Sequence, residues 1–110
     1  MYSIKTYNKI SASGTSRLPA ERYQIGDKVD APDAILVRSA DLHSIAINPE
    51  LKAVARAGAG TNNVPVAELS KRGIVVFNAP GANANAVKEL VLAGMLMAVR
   101  NLREATEFVR

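Results

Sequence analysis

The chain has 110 residues, room for one domain and one core, and no cysteine, which excludes disulfides and thiolate metal sites and mildly favours an intracellular setting. Its 48% hydrophobic and 22% charged content is that of an ordinary soluble globular protein. The formal charge of +4, from 14 Lys+Arg against 10 Asp+Glu, is scattered, and with only two phenylalanines and three tyrosines it forms no basic, aromatic-lined face for nucleic acid.

The first residues, Met1 to Lys5, hold no apolar core of signal-peptide length. The longest apolar run, Leu90 to Val99, is about half of a membrane span of ~20 residues. A cytoplasmic location without membrane contact is expected.

Tyr2 to Tyr7 alternates in strand fashion, with Ile4 and Thr6 on one face. Asn8 to Pro19, rich in Ser and Gly, reads as a loop with at most one helical turn. Tyr23-Gln24-Ile25-Gly26 is a short strand candidate, and Asp27 to Asp33 a polar connection. Ala34-Ile35-Leu36-Val37 is a continuous apolar run, the pattern of a strand buried on both faces of a parallel sheet. Asp41 or Ser39 is placed to cap a short helix through Ile47, stopped by Pro49.

Lys52 to Arg56 is the next strand, followed by a helix over Val64 to Arg72 that Gly73 ends. Ile74 to Phe77 is the clearest strand of the chain, and Asn78-Ala79-Pro80-Gly81 a turn. A long helix starts at Asn83 or Asn85 and runs to about Asn101, with a further helical segment behind it. That helix is apolar on every side (Val87, Leu90, Val91, Leu92, Met95, Leu96, Met97, Val99), so it either packs on another domain or subunit or is a simple core helix.

Strands alternating with helical stretches imply βαβ units and a parallel sheet, with ligands beyond the carboxyl ends of its strands. Three polar segments fall at those ends: Arg38-Ser39, Arg56 to Asn63, and Asn78 to Asn83. In Arg56-Ala57-Gly58-Ala59-Gly60-Thr61-Asn62-Asn63, glycine-rich backbone offers free N–H groups and an arginine adds a planar cationic fork. The combination suits a small anion; a plain glycine turn with solvated arginines is the alternative. Asn63 stands where a dinucleotide loop has its third glycine, and the following acidic residue is missing, so this is not a pyrophosphate loop. His43, the only histidine, has no Ser or Cys partner and reads as a surface or capping residue. No metal-ligand cluster and no general acid–base pair is visible, so no catalytic residue is assigned in this chain.

From Ala34 onward the chain resembles the phosphoglycerate dehydrogenase branch of the D-isomer-specific 2-hydroxyacid dehydrogenases. The resemblance rests on Ile35 to Ser39, Arg56 to Val64, and Gly73 to Leu90. It implies a flavodoxin-like parallel sheet flanked by helices, ending in a long interdomain or dimerisation helix. Residues 1–84 would be the substrate-binding domain and 85–110 the crossover towards a Rossmann nucleotide domain. By the same resemblance Arg38 and Ser39 contact substrate, Arg56 helps hold its phosphate or carboxylate, and the Ala59 and Gly60 backbone meets the substrate carboxylate and the nicotinamide end. Family members of this branch oxidise 3-phosphoglycerate with NAD at the first step of serine biosynthesis. The all-round apolar surface of the long helix leads to the expectation of a homodimer or self-association through helix 85–100. Many relatives carry Asp at Asn62 and a hydroxylated residue at Ala59, so Ala59 donates no side-chain hydrogen bond to cofactor. The catalytic Arg, Glu and His and the nucleotide loop of the family are expected beyond residue 110, so the chain alone is expected to be inactive. The alternatives are a non-enzymatic flavodoxin-like module that binds an anion or self-associates, and a fragment of another D-2-hydroxyacid dehydrogenase.

Overall fold

A computed structural model describes residues 1–110. The chain falls into two units, Met1–Pro80 and Gly81–Arg110. In the first unit, β1 (Tyr2–Thr6), β2 (Tyr23–Gly26), β3 (Ala34–Val37), β4 (Ala53–Arg56) and β5 (Val75–Phe77) form one sheet, with α1 (Ala12–Thr15) between β1 and β2 and α2 (Val66–Lys71) between β4 and β5. All four strand pairings are parallel and the order is β2-β1-β3-β4-β5. This is the order of a flavodoxin-like doubly wound sheet.

Register decides which face carries the core. Ile35 is level with Val54 and Val54 with Val76, so period-two alternation puts these side chains on one face with Val37. Leu42, Leu51, Val64, Leu69 and Ile74 close over that face. Each such burial removes apolar surface worth about 1.5–3 kcal/mol per side chain. The opposite face is less covered: Ala34, Leu36, Ala53 and Ala55 are half-buried, and Val75 and Phe77 exposed. The Ala34–Val37 run is therefore fully buried on one face only, and its continuous apolar pattern overstated its burial.

Two local features follow from single residues. Gly73, at φ +75°, ends α2, and Ile74 N–H donates back to Leu69 O at 2.9 Å. The helix expected from Asp41 to Ile47 does not form. Asp41 Oδ1 accepts from His43 N–H at 2.9 Å, a turn that spends the capping side chain locally, and Leu42 N–H is drawn to Asn63 O at 2.9 Å.

The second unit contains α3 (Ala84–Val99) and α4 (Leu102–Phe108), joined at Asn101, which takes the left-handed conformation at φ 48°. No residue of α3 is buried, and Leu90 is 74% exposed. The simple core-helix reading thus fails for this chain. No helix is long and apolar enough to cross a membrane.

Candidate functional site

The parallel sheet brings the loops after β1, β3, β4 and β5 to one edge, as the strand order requires. Three side chains, Asn8 and Asn63 from the loops after β1 and β4 and Arg56 from the end of β4, converge on the backbone around Arg38. Asn8, itself at φ 66°, turns its Oδ1 back to accept from the N–H groups of Arg38, Ser39 and Ala40 at 3.2, 2.9 and 2.9 Å. Arg56 Nε donates to Arg38 O at 2.7 Å. Asn63, buried at 8% exposure, donates from Nδ2 to Arg38 O at 3.1 Å and to Ala40 O at 2.8 Å. Both backbone polar groups of Arg38 are thereby fixed, while its guanidinium remains exposed.

Arg56 serves its own loop as well. Its Nη1 donates to Gly60 O, so the guanidinium lies across the glycine-rich turn. Neither Gly58 nor Gly60 has a positive φ. The space beside them is tight: a Cβ on Gly58 would sit 3.3 Å from Arg56 Cζ, and one on Gly60 would sit 3.0 Å from Arg56 Nη1, so a larger residue would push the guanidinium aside. It is the close approach of the guanidinium, and not a positive φ, that favours glycine here.

The carbonyls of the turn are all engaged. Ala79 N–H donates to Gly58 O at 2.9 Å, Asn78 Nδ2 to Ala59 O at 2.8 Å, and Arg56 to Gly60 O. The N–H groups of Gly58, Ala59 and Gly60 donate to no protein acceptor. A turn whose acceptors are used and whose donors are free offers hydrogen bonds to an anion.

Beside this turn lies a cavity of about 560 Å³ lined by Lys9, Ile10, Ser11, Ala12, Arg38 and Ala57. Arg38 Nη1 donates to Lys9 O at 3.4 Å. The fold thus brings Arg38, Ser39, Arg56, Ala59 and Gly60 to one edge, with Ser39 and Ala59 exposed. Sequence reasoning assigns no role to Asn8 or Lys9, and marks Asn63 only as the residue in the third-glycine position. The signal for Asn8 was present, since asparagine after a strand is a usual left-handed residue and its side chain can cap neighbouring backbone. His43 Nε2 lies 2.8 Å from Asn62 O, a structural contact that ties the loop after β3 to the glycine turn.

The shifted titrating groups sit at the opposite, amino-terminal edge. Lys52 is ion-paired with Asp33, and together with Ser3 N–H it holds the Asp33 carboxyl down at about 2. The same bond raises the Lys52 ammonium. No group of three or more His, Cys, Asp or Glu is placed to hold a metal ion. The chain does not fit the pyrophosphate of a dinucleotide: Asn63 fills the third-glycine position and its buried amide is committed to Arg38 and Ala40.

Residues 4–107 match the family model described as D-isomer specific 2-hydroxyacid dehydrogenase, catalytic domain. Among relatives, the D-3-phosphoglycerate dehydrogenase of Mycobacterium leprae is 42% identical over 93 residues, 82% of this chain and 18% of that enzyme. That of Archaeoglobus fulgidus is 37% identical over 92 residues, 81% of this chain and 18% of the enzyme. A hydroxypyruvate reductase of Thermotoga maritima is 40% identical over 77 residues, 67% of this chain and 25% of that protein. The chain therefore spans between about a sixth and a quarter of the length of its curated relatives.

Proposed function

The chain belongs to the D-isomer specific 2-hydroxyacid dehydrogenase family, and from that premise we propose that it is the substrate-binding part of an NAD-dependent D-3-phosphoglycerate dehydrogenase. The complete enzyme would oxidise 3-phosphoglycerate to 3-phosphohydroxypyruvate in the cytoplasm, the first step of serine biosynthesis. The observation that carries this reading is the pinned Arg38 beside a turn with free N–H groups. Its exposed guanidinium, with Ser39, receives one anionic end of the substrate. The N–H groups of Ala59 and Gly60 receive the carboxylate, next to the nicotinamide end of NAD. Arg56, with Nε and Nη1 spent on carbonyls, contributes its charge and its remaining Nη2.

No proton-transfer step is assigned to this chain. NAD, bound mainly by a nucleotide domain, supplies the hydride acceptor. The work of these residues is to bind and orient an anion, so the 110-residue chain is expected to form no NADH alone. The test is calorimetric titration of the chain with 3-phosphoglycerate, in parallel with an NADH assay. Roughly millimolar binding without turnover supports the reading; no heat of binding contradicts it.

The exposed apolar residues of α3 support self-association through helix 85–100. Light scattering checks this, and a clean monomer at high concentration opposes it. A second reading, a fragment of a dehydrogenase for another 2-hydroxy acid, is favoured by the likeness to the hydroxypyruvate reductase; tighter binding of an unphosphorylated hydroxy acid would select it.

A further inference from the structure

The sequence gives the cationic role at this edge to Arg38 and Arg56. The structure divides it differently, because Arg56 is committed to the carbonyls of Arg38 and Gly60. The cavity of about 560 Å³ at the same edge carries a different pair of cations, Arg38 and Lys9. Neither is in an ion pair; the salt bridges of the chain are Lys52–Asp33 and Arg103–Glu107. Two basic residues without an ion-pair partner that line one cavity offer an anion two cationic partners.

The placement of Lys9 follows from the left-handed Asn8. With Asn8 at φ 66° and its amide on the loop after β3, the chain turns over Arg38, and Arg38 Nη1 donates to Lys9 O at 3.4 Å. The arginine head and the Lys9 backbone are neighbours, and the flexible lysine stem lets its ammonium reach the anion that Arg38 holds.

We propose that Lys9 and Arg38 form the subsite for the phosphoryl end of the substrate, and that Lys9 sets the preference for a phosphorylated over an unphosphorylated 2-hydroxy acid. This rests on the reading of the edge as a substrate site. A phosphate monoester carries about −1.5 to −2 charges at neutral pH, against one for a carboxylate. Arg38 alone leaves part of that charge unmatched, and Lys9 matches it as a mobile point charge. An unphosphorylated hydroxy acid has nothing for Lys9 to neutralise.

The test titrates the chain with 3-phosphoglycerate and with D-glycerate, using wild type, Lys9→Met, Lys9→Arg and, as a surface control, Lys71→Met. Lys9→Met is expected to weaken 3-phosphoglycerate binding about five- to tenfold and leave glycerate unchanged, with Lys9→Arg restoring most of the loss and Lys71→Met matching wild type. Lys9 is exposed, so the variant folds, which circular dichroism verifies. If wild type prefers 3-phosphoglycerate and Lys9→Met keeps that preference, the Lys9 assignment falls and the substrate site stands. If wild type binds neither compound, both fall.

Discussion

The Nε of Arg56 donates to the carbonyl oxygen of Arg38 at 2.7 Å, so one arginine of the edge holds the backbone of the other. Parallel pairing of β3 and β4 makes this possible, since Val37 is level with Arg56 and their following loops run side by side. Arg56→Lys keeps the charge and loses the fork that reaches both carbonyls. It is expected to cost about 1 kcal/mol in urea unfolding and to weaken 3-phosphoglycerate binding more than Lys71→Met does. A variant with unchanged stability and affinity would show that the guanidinium clamp is dispensable.

Asn63 is buried and donates twice, so its loss leaves two part-buried carbonyls, those of Arg38 and Ala40, short of a donor. Asn63→Ala should lower stability by about 1–3 kcal/mol. Asn63→Asp should be at least as damaging, because a carboxylate facing two carbonyl oxygens repels what the amide attracted. Chemical denaturation measures both; an aspartate variant as stable as wild type would refute the assigned amide orientation.

Asn8 combines a left-handed backbone with three accepted hydrogen bonds. Replacing it separates the two contributions. Asn8→Gly keeps the backbone but loses the acceptor, whereas Asn8→Ala loses both and should cost about 1 kcal/mol more. Thermal unfolding of the pair checks the ordering, and equal stabilities would mean that the backbone at residue 8 carries no strain.

Much of this architecture was legible from residue order. The alternation in Tyr2 to Tyr7, the Tyr23–Gly26 run, the apolar runs ending at Val37 and Phe77, and Gly73 after α2 mark their elements because each is set by local chemistry. Asp41 misled because its side chain satisfies His43 N–H in a turn as readily as it caps a helix, and the pull of Asn63 O on Leu42 N–H comes from a residue far along the chain. At the site, the converging strand ends could be read from the pattern. The three-way hold on Arg38 could not, because Asn8, Arg56 and Asn63 meet there only once the sheet exists.

Acid stability should depend on Asp33. Its folded carboxyl is lowered from 3.8 to about 2 by Lys52, Ser3 N–H and the Ser3 hydroxyl. A depressed folded value means that the stabilisation is fully present above the unfolded value and is lost as pH falls towards the folded one, so the window is about pH 4 down to pH 2. Asp33→Asn should flatten the stability profile across that interval. Because the pair is at the amino-terminal edge, its anion affinity near neutral pH should match wild type; a profile as steep as wild type would remove Asp33 as the source.

The carboxyl edge of the sheet is the proposed site for the phosphorylated hydroxy acid. Its most direct test is titration of the ¹⁵N-labelled chain with 3-phosphoglycerate, followed residue by residue. Saturable amide shifts are expected at Arg38, Ser39, Gly58, Ala59 and Gly60, with the Asp33–Lys52 edge unmoved. Shifts confined to other surfaces, or none at millimolar ligand, would rule out this edge as the substrate site.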